Sequence, residues 1–166
     1  MKGFVLSAAL TLLPITGSAD VGIGAALDPF EDILFVPIEL GAATRVEPFI
    51  AWTEYDISGG ESYDALTLGV GIFRKINAPD RVQAYFGGRL GYTEFESDTP
   101  TFDQQSHGYL LEPTLGIEYH FVEQVSVSVE AVAYYHWSDE EAGGNAFDRK
   151  GAGTSSRIVL RAYFPH

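Results

Sequence analysis

The chain has 166 residues and a mass of 18.1 kDa, enough for one domain. Ten Lys and Arg against 23 Asp and Glu give a formal charge of −13, which excludes a nucleic-acid partner because phosphate binding needs clustered cations. With 46% hydrophobic and 13% aromatic residues the chain is no disordered acidic tail, and without Cys it has no disulfide, thiolate zinc or thiol nucleophile.

Residues 1–19 read MKGFVLSAALTLLPITGSA: a basic start at Lys2, an apolar run to Leu13, then Gly17-Ser18-Ala19. This is the layout of a secretory signal peptide with a small-residue cleavage site. Cleavage after Ala19 is expected to leave a single domain, 20–166, and loss of Lys2 takes the charge from −13 to −14.

From Asp20 onward the hydrophobic period is two. Strands are expected near 20–27, 33–43, 46–57, 63–75, 81–95, 108–121, 124–137 and 154–164, an even number. The clearest runs from Val125 to Trp137, with Val125, Val127, Val129, Ala131, Ala133, Tyr135 and Trp137 on one face. Alternate connections are short, at Thr44-Arg45, 76–80 and Val122-Glu123. Of the others, 96–107 and 138–153 are long and polar, and Gly59-Gly60, Gly143-Gly144 and Gly151-Ala152-Gly153 suggest mobile tips. Short turns at one end and longer loops at the other are the rhythm of an all-β, eight-stranded antiparallel up-and-down transmembrane β-barrel. No repeat beyond that rhythm is present.

Alternation alone fits a soluble lipocalin-like ligand binder as well, with the apolar face turned inward. Three features favour lipid outside. The polar face carries Gly22, Gly24, Gly41, Gly69, Gly71, Gly87, Gly91 and Gly116, as a narrow eight-stranded lumen requires. The same face carries Glu39, Glu47, Arg89, Glu112, Glu118, Glu130, Arg157 and Arg161, both signs on neighbouring strands, which suits an internal polar network. Aromatics end the apolar rows as a girdle: Trp52, Tyr92, Tyr109, Tyr119, Phe121, Tyr135, Trp137 and Phe164. A turn at Val122-Glu123 sets Glu118 opposite Ser128 and Glu130 opposite Gly116.

Leu115-Gly-Ile-Glu-Tyr-His-Phe121, the Val125–Glu130 run and the closing Arg157-Ile-Val-Leu-Arg-Ala-Tyr-Phe164 resemble the small outer-membrane β-barrel family of Gram-negative bacteria, which includes OmpX-like, OmpA-transmembrane-like and opacity-type porin barrels. The resemblance implies an outer-membrane location, contact with membrane lipid and lipopolysaccharide, and insertion by the barrel-assembly machinery. Family members commonly end on an aromatic; here Phe164 is followed by Pro165 and His166. The resemblance implies no single activity.

The one enzymatic reading starts from His136-Trp137-Ser138, which resembles the His-x-Ser of lipid A 3-O-deacylases. Those barrels orient the His with an acid on the next strand, where this chain reads Gly153-Thr-Ser-Ser-Arg157. His107 and His136, with Asp103 and Asp139 nearby, have no diagnostic metal spacing. Glu96, Asp98, Asp103, Glu140, Glu141 and Asp148 would attract cations only loosely. The expectation is a non-enzymatic barrel without cofactor or metal, its lumen plugged by side chains. Its function lies in membrane integrity and in an extracellular partner met by the third and fourth external loops.

Overall fold

The computed structural model describes residues 20–29, 31–57, 61–76, 81–99, 102–142 and 145–164. The expected signal segment 1–19 and the glycine pairs 59–60 and 143–144 lie outside the described residues. Nine strands form one sheet: β1 (Gly22–Leu27), β2 (Asp32–Phe35), β3 (Ile38–Leu40), β4 (Thr44–Ile57), β5 (Glu61–Ile76), β6 (Val82–Thr99), β7 (Phe102–Val122), β8 (Val125–Ala142) and β9 (Asn145–Tyr163).

From β3 to β9 sequential strands pair antiparallel, and β1 pairs with both β2 and β9, which closes the ring. β2 and β3 are two pieces of one stave. Both lie against β4, so eight staves make the wall. The stave breaks at Val36-Pro37, where proline has no N–H for the ladder. The broken segment stays tied by Val36 N donating to Pro48 O (3.0 Å) and Gly22 N donating to Pro37 O (2.9 Å). An unbroken strand over 33–43 was the expectation, and the proline explains the difference.

The register fixes the shape. Stepping from Leu27 across β2, β4, β5, β6, β7 and β8 passes Asp32, Trp52, Leu66, Glu94, His107 and Asp139, and arrives on β9 at Asp148. Leu27 itself pairs with Ile158, so one circuit advances ten residues. A shear of ten over eight staves tilts the strands by about 40° and leaves an interior only wide enough for side chains.

The faces are sorted opposite to a soluble protein. Leu115 is 66% exposed and Val129 60%, while Arg45, Glu47, Glu118 and Glu130 are 0% exposed. The outward row from Tyr109 through Leu111, Leu115 and Ile117 to Phe121 spans about 40 Å of strand, roughly 30 Å along the axis at that tilt. Inside, one sector is an apolar cluster (Ala26, Ile33, Phe35, Phe49, Ala51 and Val159); elsewhere polar and charged side chains prevail, with Phe73 and Val132 buried among them.

Glycines let large inner side chains lie flat on the wall. A Cβ at Gly116 would collide with the Tyr85 ring, at Gly24 with Phe35 and at Gly87 with the wall beside Phe73. Gly41 is an exception to the inward assignment. It sits exposed in the 41–43 turn at φ 68°, a left-handed conformation that glycine adopts without strain.

The segments 96–107 and 138–153, expected as long loops, are instead mostly strand. Glu96 faces Gln105, Asp98 faces Asp103, and Ser138 faces Arg149, residue for residue. Gly151, Ala152 and Gly153, read as a mobile tip, lie within β9. The sequence of these segments carries no apolar alternation, although the backbone ladder continues.

Candidate functional site

The inward-facing charges form three tiers along the lumen. At the short-turn end, Lys75 Nζ lies 2.7 Å from Glu39 Oε2, and the Tyr163 hydroxyl donates to Glu39 Oε1 at 3.0 Å. Strand period places Glu39, Arg45 and Glu47 on one face, because Arg45 opposes Glu39 across the β3–β4 turn and precedes Glu47 by two.

The central tier balances three arginines against three glutamates. Arg45 meets Glu118 at 2.6 Å and Glu47 at 2.9 Å; Arg89 meets Glu130 at 2.8 Å and Glu47 at 3.2 Å. Arg161 reaches Glu47 at 2.9 Å and Glu130 at 3.3 Å, and its Nη1 donates to Ser128 Oγ at 2.7 Å. Tyr85 donates its hydroxyl to Glu130 Oε1 at 2.7 Å, while Ser126 donates to Glu118. Guanidinium planes also lie on rings: Arg45 is 4.5 Å from the Tyr85 centroid and Arg89 is 4.8 Å from Phe73. Charges this deep are tolerable only when paired and hydrogen-bonded, and each carboxylate here meets at least two partners.

The outer tier is not balanced. Arg157 meets Glu112 at 2.8 Å, Asp28 at 3.2 Å and Glu31 at 3.8 Å, one cation among three carboxylates. Ser155 Oγ donates to Asp28 at 3.1 Å. In the β1–β2 connection, burial raises the Glu31 carboxyl from its ordinary 4.5 to about 7; the Glu112 charge adds to this and Arg157 does not cancel it. The excess negative charge of this tier thus favours the protonated form of Glu31 below about pH 7.

The eight lumen residues read from the sequence are all buried inside the barrel. Glu47, Arg89, Glu118, Glu130 and Arg161 meet in the central tier; Glu39 lies in the inner tier, and Glu112 and Arg157 in the outer one. Arg45 was missed because the sequence reading assigned Thr44-Arg45 to a turn; β4 in fact begins at Thr44. The i, i+2 spacing to Glu47 was the signal that would have found it. Lys75, Tyr85, Tyr163, Asp28 and Glu31 were also missed. The tyrosines look like wall residues in sequence, and the acids sit in a connection too short to leave the lumen.

The girdle residues face outward. Tyr92, Tyr109, Trp137 and Tyr135 form a continuous strip with centroid separations of 5.6, 5.5 and 5.6 Å. Tyr119 and Phe121 pair at 5.3 Å nearer the opposite end, Phe164 lies exposed after β9, and Trp52 stands beside Asp32. His136 and Ser138 point inward, with His136 edge-on to Phe95 at 5.0 Å and Ser138 buried. Their β9 partners are Gly151 and Arg149, so the neighbouring strand supplies no carboxylate in register. Among the described residues, no group of three or more His, Asp or Glu is placed to hold a metal.

No family model matches the chain, and no curated protein sequence matches it. Solved structures do. Neisserial surface protein A aligns with a TM-score of 0.59 at 16% identity, over 88% of this chain and 94% of that one. The N-terminal β-barrel domain of Pseudomonas aeruginosa OprF aligns at 0.54 and 12%, over 86% and 96%. A major outer membrane protein from Thermus thermophilus aligns at 0.53 and 17%, over 89% and 100%. The fold is that of the small outer-membrane β-barrels. Within that fold the charged tiers belong to the lumen and the aromatic strip to the exterior belt.

Proposed function

We propose that this chain is exported and resides in the bacterial outer membrane as a non-enzymatic barrel, contributing to membrane integrity and presenting its long hairpins at the cell surface. The observation that carries this reading is the inverted sorting of side chains around a closed ring. A belt of Leu, Ile, Val and Phe outside, ended by Tyr and Trp, is costly in water and stable in lipid, while the fixed ion pairs inside would be lost if the faces exchanged. On this reading the short turns face the periplasm and the β4–β5, β6–β7 and β8–β9 hairpins face outward.

Fractionation followed by gel electrophoresis with and without boiling tests it. An outer-membrane band that migrates faster unboiled, because the closed backbone ladder resists SDS, is the expected result. A detergent-free periplasmic protein without a heat shift sinks the reading and returns the apolar rows to a ligand cavity. Lipid A mass spectra from cells carrying the natural chain or His136→Ala are expected to be identical, and a deacylated species that depends on His136 restores the hydrolase.

A further inference from the structure

β1 ends at Leu27 and β2 begins at Asp32, so toward the hairpin end β9 has no strand on its β1 side among the described residues. On its other side it pairs with β8 in one register from Asn145 to Ala162. The shear places this gap relative to the apolar belt. Each step from β1 toward β9 by way of β2 climbs about 3 Å, and each residue along a strand spans about 2.5 Å of height. Counted from Leu27, Ser156 and Thr154 stand at the level of Leu68, Leu90 and Leu111.

At that level the outer surface differs by sector. β5, β6 and β7 turn leucine to the outside, whereas β9 turns Ser156 and Thr154 and β2 turns Asp32, all exposed. From β9 to β4 the wall lacks two staves there, a span of three strand spacings or about 14 Å. The backbone groups that β9 turns toward this gap have no ladder, and hydrocarbon offers them no hydrogen bond.

The surroundings select what fills it. Charges of both signs border the gap: Asp32 on β2, and Asp148, Arg149 and Lys150 farther out along β9. Such a border suits the mixed dipoles and water of lipid head groups and selects no ion of one sign. A second copy docked by its own belt would set leucines against Ser156 and Asp32, and two facing recesses would not fill each other.

We propose that the sector between β9 and β4 is a polar notch in the membrane belt into which lipid head groups and their water descend. The outer boundary of the bilayer then dips beside β1 and β2, about 10 Å below the level of the Tyr109–Trp137 strip. Trp52, in register with Asp32, marks the rim on β4. Behind the notch Ser155 donates to Asp28 at 3.1 Å, so the dipping surface reaches the outer tier of the lumen. This inference rests on the membrane placement proposed above.

The chain has no cysteine, so nitroxide labels can be set at single sites of the full folded protein in phosphatidylcholine vesicles. Thr154→Cys and Ser156→Cys sample the notch; Leu68→Cys and Leu90→Cys sample the same height elsewhere. Labels at 154 and 156 are expected to be about tenfold more accessible to a water-soluble nickel chelate than those at 68 and 90, because hydrocarbon excludes the polar chelate. They are also expected to broaden the lipid phosphorus resonance more strongly. Oxygen-rich, chelate-poor surroundings at all four sites would mean that acyl chains close over the notch. Shielding of 154 and 156 from both reagents would put protein there, and chelate access without extra phosphorus broadening would leave water alone. Each of these results overturns the proposal, as does chelate access at all four sites. Every variant is also run on gels with and without boiling. With the heat shift intact, failure falls on the notch alone; without it in the natural chain, the barrel reading fails as well.

Discussion

Arg89 illustrates how one side chain holds several strands. From β6 it reaches Glu130 on β8 and Glu47 on β4, across the lumen from each other, with its guanidinium over Phe73. Removing the cation leaves two buried carboxylates short of a partner, so Arg89→Met is expected to cost about 3–5 kcal/mol in urea unfolding from lipid vesicles. Arg89→Met combined with Glu130→Leu should recover part of that loss, since the double variant leaves fewer buried charges unpaired. A double variant less stable than the sum of the singles would contradict this account. Glu31 behaves oppositely, because its carboxyl is easier to protonate in the folded chain than in the unfolded one. Between pH 4.5 and about 7 the folded state binds the extra proton, so stability falls as pH rises through that window. The decline should be on the order of 3 kcal/mol and should vanish in Glu31→Gln when unfolding midpoints are compared across pH.

At the level of strands, the wall is shaped by where side chains can lie against it. β7 carries Gly116 so that Tyr85, from β6, can cross the lumen flat and reach Glu130 and Ser128. Gly116→Val places methyl groups where the ring lies and is expected to cost about 1–3 kcal/mol, visible as a lower temperature for the gel shift. Ile117→Val on the outward face, 62% exposed, should leave that temperature nearly unchanged. The strand lengths follow the same logic. β1 ends at Leu27 and β2 begins at Asp32, whereas β6 to β9 continue because each hairpin supplies its own backbone partners. Strand period made all eight staves legible, but the ends of the long hairpins were read as loops, because their sequence carries no apolar alternation while strand pairing there rests on the backbone ladder. Pro37 was visible in the sequence, yet its effect on the stave depended on which neighbour needed the missing N–H.

Across the whole molecule the lumen charges compensate one another in the inner and central tiers, and the surplus acids gather at the hairpin end. Exposed Arg74 and Arg81 lie at the opposite, short-turn end. The central tier fills the cross-section of an eight-stranded ring, whose interior is narrow before any side chain enters. In planar bilayers the natural chain is therefore expected to give no discrete conductance steps. Arg89→Ala with Arg161→Ala and Glu130→Ala, which empties the middle of the lumen, should give small ones. Steady conduction by the natural chain would mean that the tier opens in lipid.

The sequence alone determined the class of fold, the number of staves, the direction each strand's faces point and eight of the buried charges. These depend only on period two and on the cost of setting a charge against hydrocarbon. It also set Glu118 against Ser128 and Glu130 against Gly116, although the turn lies at Glu123-Gln124 rather than Val122-Glu123 and a register shift between His120 and Val122 is what brings the ladder to that pairing. Tertiary structure alone decided which arginine meets which glutamate. Arg45, Arg89 and Arg161 come from three separated strands, and the shear of ten brings them to one height. It also decided that Asp28 and Glu31 close over Arg157 and that β9 outruns β1, since both depend on how the ring closes rather than on any local pattern.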